Sequence, residues 1–221
     1  TPGGDRYPAA SNAINTIVQK GALLLNYMGH GGPKGWSQER VLKKSDIDTW
    51  NNPDELPILI TATCSFTGYD DPALISAGEE AIQKANGGAV ALFTTVRAVY
   101  ASANERLARA VYDQVFKKID GKPQTIGGIM TTAKNNTTNP SNVTNDRKFA
   151  LIGDPSQRIA VPRFDVRTTE VNGISVSEID TLSALDIVTI KGMVTNENGD
   201  IISDFNGLVY PTIFDKESTL E

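Results

Sequence analysis

Leu56-Pro-Ile-Leu-Ile-Thr-Ala-Thr63, followed by Cys64, decides how this chain folds. The run is apolar without alternation, so both faces of the extended segment are covered, as in a central strand of a parallel sheet. Pro57 stands near its start, where a missing N–H is tolerated. Two further runs have the same character: Gly21-Ala-Leu-Leu-Leu-Asn-Tyr-Met28 before it and Ala89-Val-Ala-Leu-Phe-Thr-Thr95 after it. Helical patterns lie between and beyond them. Ser45-Asp-Ile-Asp48 reads as the capped start of a short helix. Ser76-Ala-Gly-Glu79 is a capping box, in which the two side chains satisfy each other's backbone N–H groups. The helix it opens runs to about Ala85 and stops at Asn86-Gly87-Gly88. Ser102 is expected to cap a long helix with Leu107, Val111, Val115 and Ile119 at helical spacing, and another helix covers Thr125 to Lys134. The polar run Asn135 to Asn145 reads as a loop. Strands separated by helices make an α/β fold with a mainly parallel sheet flanked by helices on both faces.

After Pro162 the character changes. The chain becomes rich in Val, Ile and Thr, with turn signals at Asn172-Gly173, Asn198-Gly199 and Asn206-Gly207. Ile187-Val-Thr-Ile-Lys191 and Leu208-Val-Tyr-Pro-Thr-Ile213 read as antiparallel strands. Residues 1–162 are therefore expected to form one domain, and residues 163–221 the beginning of a β-sandwich. The second segment is shorter than the roughly 100 residues of an immunoglobulin-like domain, so it is expected to be partial.

The composition excludes several classes. Of 221 residues, 39% are apolar and 21% charged, which fits a globular chain with a real core. A net charge of −5 argues against a nucleic-acid surface. The only tight basic pairs, Lys43-Lys44 and Lys117-Lys118, read as solvated helix faces. Every apolar stretch falls short of the roughly 18 residues of a membrane-crossing helix. The chain opens Thr1-Pro2-Gly3-Gly4, without an initiator Met or a signal-peptide pattern, so a fragment or processed piece is expected. One cysteine permits no internal disulfide.

That cysteine and the single histidine carry the chemistry. His30 stands just past the C-terminal end of the first expected strand, and Cys64 just past the second. Functional groups in open α/β sheets gather at that edge. Adjacent parallel strands bring the two together, so an imidazole can take a thiol proton and leave a thiolate nucleophile. The glycines of Gly29-His30-Gly31-Gly32 let backbone approach a carbonyl closely. The N–H groups of Gly31 and Cys64 are the candidates for an oxyanion hole. The bland alternative is open: a lone His is often a satisfied structural residue, and a lone Cys an inert small hydrophobe. No metal or cofactor is expected. One His and one Cys fall short of a zinc ligand set, and no Gly-Lys-Ser/Thr follows the glycines to make a phosphate loop.

Asn26-Tyr-Met-Gly-His-Gly-Gly32, followed by Gly35-Trp36, resembles the His motif of the gingipain family of cysteine peptidases. Thr61-Ala-Thr-Cys-Ser65, followed by Asp70-Asp-Pro72 and Ser76-Ala-Gly-Glu79, resembles that family's Cys motif. Leu151-Ile-Gly-Asp-Pro-Ser156 resembles the segment closing its catalytic domain. The resemblance covers roughly residues 1 to 165. It implies a caspase-like fold followed by an immunoglobulin-like domain, with His30 and Cys64 as the catalytic pair and Gly31 as an oxyanion donor. Trp36-Ser-Gln-Glu-Arg-Val-Leu42 and Thr94-Thr-Val-Arg-Ala-Val-Tyr100 look most similar to surface sortases of the type IX secretion system. That likeness implies cleavage of C-terminal signal domains from secreted cargo at the outer membrane. It also implies transfer of the acyl group to an amine on an anionic lipopolysaccharide, alongside other secretion-system components. The family orients its His with an acidic residue upstream. No such position precedes His30 here, so the upstream half of the sheet is expected to lie outside this chain.

Around this pair, several residues have two readings. Trp36 lines a substrate pocket or caps the edge of the core. Arg97 contacts substrate or makes an ordinary salt bridge. Asp70 and Asp71 bind Ca²⁺ or form a turn into Pro72, and the turn is favoured. Competing functions are a retired peptidase fold used for binding, and a structural surface module working through the β-rich tail.

Overall fold

The computed structural model describes residues 6–162, 164–178, 182, 186–196 and 198–210. These fall into two compact units, residues 1–160 and 161–221.

The first unit opens with helix α1 (Pro8–Lys20), which sequence reading did not anticipate. Pro8 supplies a preset φ at the start, where its missing N–H is not needed, and Gly21 ends the helix at φ 92°. Strand β1 (Leu24–Met28) follows, then three two-residue strands: β2 (Gly31–Gly32), β3 (Gly35–Trp36) and β4 (Leu42–Lys43). Next come α2 (Lys44–Ile47), β5 (Ile58–Ala62), α3 (Ala77–Gln83), β6 (Ala91–Thr95) and α4 (Ala101–Val115). A small hairpin, β7 (Lys118–Ile119) and β8 (Lys122–Pro123), leads to α5 (Ile126–Thr137), α6 (Val143–Asp146) and β9 (Phe149–Ile152).

The central sheet has the order β1-β5-β6-β9. β1, β5 and β6 are parallel, and β9 closes the far edge antiparallel to β6. All five residues of β5 and of β6 are buried, as an unalternating apolar run requires. Successive side chains point to opposite faces. Leu59 and Leu92 face a cluster with Val18, Ile47, Trp50 and Ala81 from α1, α2, α3 and their loops. Ile60, Ala62 and Phe93 face Leu107 and Val111 of α4 and Met130 of α5. The result is a three-layer α/β/α sandwich, as the strand pattern implies.

Boundaries differ where local chemistry outweighs pattern. Helix α2 begins at Lys44 rather than behind Ser45, because the Asp46 carboxylate accepts from the Lys43 N–H at 2.9 Å. Ser76 and Glu79 form the expected capping box, but α3 ends at Gln83 as Lys84 turns extended. Ser102 lies inside α4, which begins after Tyr100; the Tyr100 N–H is held by Asn145 Oδ1 at 2.8 Å. Ile119 is not on the α4 face. The helix stops at Val115, and Asp120-Gly121, both at positive φ, turns the chain back as a hairpin. The polar run 135–145 is partly helical, since α5 continues to Thr137 and α6 starts at Val143.

In the second unit, β10 (Asp165–Val171) pairs antiparallel with β11 (Ile174–Ser175) across the Asn172-Gly173 turn. It pairs on its other side with β12 (Ile190–Thr195), with a register shift between Thr168 and Glu170. β12 starts three residues later than expected. Asn172 clamps Thr189 through both its backbone N–H and its side-chain oxygen, ahead of the strand. Leu208 to Tyr210 is not a strand, and residues 211–213 of that expectation lie outside the described residues.

Candidate active site

Two strand ends frame the site. The last pair of the β1–β5 ladder is Met28 with Ala62, and the Gly29 N–H extends the pairing to the Ala62 carbonyl at 3.4 Å. His30 is two residues past Met28 and Cys64 two residues past Ala62, so both leave the same edge of the sheet from neighbouring strands. His30 is exposed and Cys64 half-buried. The Cys64 thiol faces the Val99 carbonyl, 3.8 Å away. No hydrogen bond joins it to His30, whose imidazole has no hydrogen-bond partner among the described residues.

The backbone at His30 is fixed from two sides. Its carbonyl accepts from the Tyr27 hydroxyl and from the Ser37 N–H, each at 2.7 Å. The second bond belongs to the arm formed by β2, β3 and β4, which folds back beside His30. Trp36 anchors this arm. It is 1% exposed, stacks on Tyr27 at 4.5 Å and 6°, and meets Phe66 at 5.7 Å. Trp36 is thus a core residue whose ring also lines the floor of the cleft beside His30. Gly35 has φ 140°, and a Cβ there would sit on the Leu42 carbonyl oxygen.

The ladder bond between Ser37 and His30 puts Gly31 opposite Trp36 at a non-hydrogen-bonded pair, so the ladder does not use its N–H. The Cys64 N–H has no acceptor among the described residues. Gly31 also lies against its neighbours: a Cβ would be 2.5 Å from Thr63 Oγ1 and 2.9 Å from the Gly35 carbonyl oxygen. Thr63 Oγ1 is buried without a hydrogen-bond partner. Gly31→Ala is therefore expected to push the arm off β5 and weaken it. Thermal denaturation should show a loss of about 1–3 kcal/mol, the usual cost of overpacking. An unchanged Tm would mean that the arm yields freely.

Cys64 is followed by Ser65 at φ 48°, a left-handed turn held by the Ser65 N–H to the Arg97 carbonyl at 3.2 Å. Behind it runs a ladder of buried hydroxyls. Thr61 and Thr67 each meet Thr94 at 2.8 Å, and the Thr95 hydroxyl donates to the Thr63 carbonyl. These bonds fix the segment around Cys64 to the neighbouring strand.

Two groups that sequence reading did not single out shape the surroundings. Glu39 accepts from the Ser37 hydroxyl, which, with its own backbone N–H and the charge of His30, holds its carboxyl below the usual range. Burial and then the Glu39 charge push the Tyr27 hydroxyl up. Glu39 is thus a carboxylate whose field reaches His30. It lies downstream of His30, inside the Trp36–Leu42 segment. Val99 enters through its carbonyl, which leaves no side-chain signal in a sequence.

Arg97 is engaged elsewhere. Both its terminal nitrogens bond Asp70, one of them at 2.9 Å, and it also donates to the Val96 carbonyl at 2.6 Å. The pairing lowers Asp70 and raises Arg97 relative to their ordinary pKa values. Asp71 Oδ1 accepts from the Ala73 N–H at 3.0 Å, so both carboxylates serve the loop. The salt-bridge and turn readings describe these residues.

Beside His30 opens a cleft of about 1190 Å³. One wall is the arm from Gly31 to Leu42, and the other the segment Ala73 to Ile75. The Ala77 N–H joins the two walls by donating to the Pro33 carbonyl at 2.7 Å.

Three solved structures have similar folds. The complex of Porphyromonas gingivalis RgpB pro- and mature domains superposes with a TM-score of 0.60 at 17% identity, over 75% of this chain and 40% of that one. The Arg-specific cysteine proteinase gingipain R (RGPB) gives 0.59 at 18% identity, over 75% and 39%. A structure described as a protease gives 0.56 at 16% identity, over 82% and 53%. The chain spans about two fifths of the length of the first two. No curated protein matches the sequence significantly. The family model for peptidase family C25 matches residues 1–160, and the chain therefore belongs to peptidase family C25, a family of cysteine peptidases whose substrates are proteins or peptides.

Proposed function

We propose that this chain carries the Cys-His dyad of an endopeptidase that works through a thioester acyl-enzyme, with Cys64 as nucleophile and His30 as its acid–base partner. The observation that supports this best is the parallel β1–β5 register, which delivers both residues to one sheet edge. Hydrogen bonds of catalytic groups are often long before substrate binds. Proton transfer requires the Cys64 side chain to leave the Val99 carbonyl and meet the His30 imidazole. The Cys64 thiolate then attacks the peptide carbonyl, and the C–S bond forms as the carbonyl oxygen takes the negative charge. The Gly31 and Cys64 N–H groups stabilise that oxygen. His30 returns its proton to the leaving amine as the C–N bond breaks. Water or a second amine then resolves the thioester.

The finer assignment rests on the likeness of residues 36–42 and 94–100 to type IX sortases. In it, the substrates are C-terminal signal domains of secreted cargo, cut at the outer-membrane surface, and the second amine belongs to an anionic lipopolysaccharide. Residues 1–162 act as the caspase-like peptidase domain, and residues 163–221 as the start of an immunoglobulin-like domain. The antiparallel three-stranded sheet is consistent with the latter.

The test is the rate at which a peptidyl electrophile alkylates Cys64 at neutral pH. The expected result is a rate above that of free cysteine, lost in His30→Ala. Equal rates in both forms, at the free-thiol level, would leave a binding or structural module instead. With turnover in hand, an added primary amine should appear covalently on the cleaved cargo if the reaction is transpeptidation; hydrolysed product alone would remove that part.

A further inference from the structure

We propose that the cleft beside His30 selects an acidic side chain of the substrate, within two residues of the scissile carbonyl. The inference rests on the peptidase reading above. Its ground is the charge along the arm that forms one wall. Four cations line the cleft: Lys34, Arg40, Lys43 and Lys44. Two of them are already neutralised. Lys43 pairs with Asp46 and Lys44 with Glu80, each at 3.1 Å. Lys34 and Arg40 have no carboxylate partner among the described residues, and both are exposed. The nearest carboxylate in sequence, Glu39, does not line the cleft. It is committed to the Ser37 hydroxyl and to the field of His30 and Tyr27.

The lining combines an apolar surface with a cationic rim. The floor is Trp36 and Leu42, both buried, and the opposite wall is Ala73, Leu74 and Ile75. An aliphatic stem lies against that apolar wall while its carboxylate meets Lys34 or Arg40. His30 lines the cleft and Cys64 does not. A peptide held with its carbonyl at Cys64 therefore places a nearby side chain past His30 into the cleft. Two unpaired cations at such a rim favour Glu or Asp and repel Lys or Arg. An exposed ion pair of this kind is worth roughly a fivefold rate preference, and the preference weakens as salt is added.

The experiment uses the full chain and three otherwise identical peptidyl acyloxymethyl ketones carrying Glu, Gln or Lys next to the reactive carbonyl, with a second set shifted by one residue. The Cys64 thiolate displaces the carboxylate leaving group, forming a C–S bond, and mass spectrometry counts the adduct. In one of the two sets, the Glu probe is expected to label Cys64 about fivefold faster than the Gln probe, with the Lys probe slowest. In the double variant Lys34→Glu, Arg40→Glu the order is expected to invert, with the Lys probe gaining. That gain is a readout that partial unfolding cannot produce. Equal labelling by all three probes in both sets, or a Glu preference unchanged in the variant, overturns the acidic selection and leaves the peptidase standing. Labelling no faster than free cysteine with every probe overturns both.

Discussion

Cys64→Ala is expected to reduce peptide cleavage to background, and His30→Ala to lower kcat by roughly 10²–10⁴-fold, the usual contribution of a positioned acid–base group. The two losses should not add. Each residue acts through the other, so the double variant should be no worse than Cys64→Ala alone. Among the described residues neither side chain makes a strong polar bond: His30 is exposed with no side-chain hydrogen bond, and Cys64 makes one weak hydrogen bond at 3.8 Å. Both variants should therefore melt within about 1 kcal/mol of the parent, and a large stability loss would point to a structural role. Full turnover by either variant would sink the dyad. The comparison belongs in a chain that turns over a peptide, with steady-state kinetics and thermal denaturation read on the same preparations.

Trp36→Ala has the largest expected effect on stability. The indole is 1% exposed, stacked on the Tyr27 ring and met by the tilted Phe66 ring, so its removal leaves a cavity under the arm. Loss of a buried aromatic of this size costs about 3–5 kcal/mol. The damage should also reach the site. Tyr27 donates to the His30 carbonyl, and the arm supplies the second bond to that carbonyl through Ser37. Removing Trp36 loosens the packing behind both bonds. Chemical denaturation should show the midpoint fall with little change in m. Trp36→Phe should recover much of the loss, because it keeps a ring against Tyr27. A near-neutral Trp36→Ala would mean that the arm is held by its backbone ladder alone.

Much of the sheet was legible before the structure. The runs at residues 21–28, 56–63 and 89–95 lack polar alternation, and a strand buried on both faces leaves that mark. The Ser76–Glu79 capping box was legible because its chemistry is contained in four residues. Less visible was structure that depends on partners distant in sequence. β9 pairs with β6 from over fifty residues away, and its Phe149–Ile152 run is too short to stand out. The arm has only two-residue strands, held by Trp36 packing on Tyr27 and Phe66, which no periodicity reports. Two misses had available signals: Pro8 with Gly21 brackets α1, and Asp120-Gly121 marks the hairpin that removes Ile119 from α4. At the site, the positions of His30 and Cys64 followed from strand ends. Glu39 did not, because its bond to Ser37 depends on the local turn of the arm and leaves no pattern in the sequence.

The arm separates two kinds of position on one short segment. Gly31, Gly35, Trp36 and Leu42 face inward and are fixed by close contact, whereas Lys34, Gln38 and Arg40 face solvent. A designer can therefore rewrite the outward set as a cassette, leaving the inward set as the chassis that holds His30. The Pro33–Ala77 bond ties that chassis to the helix following Cys64, so a new recognition surface would inherit its alignment with the nucleophile without further adjustment.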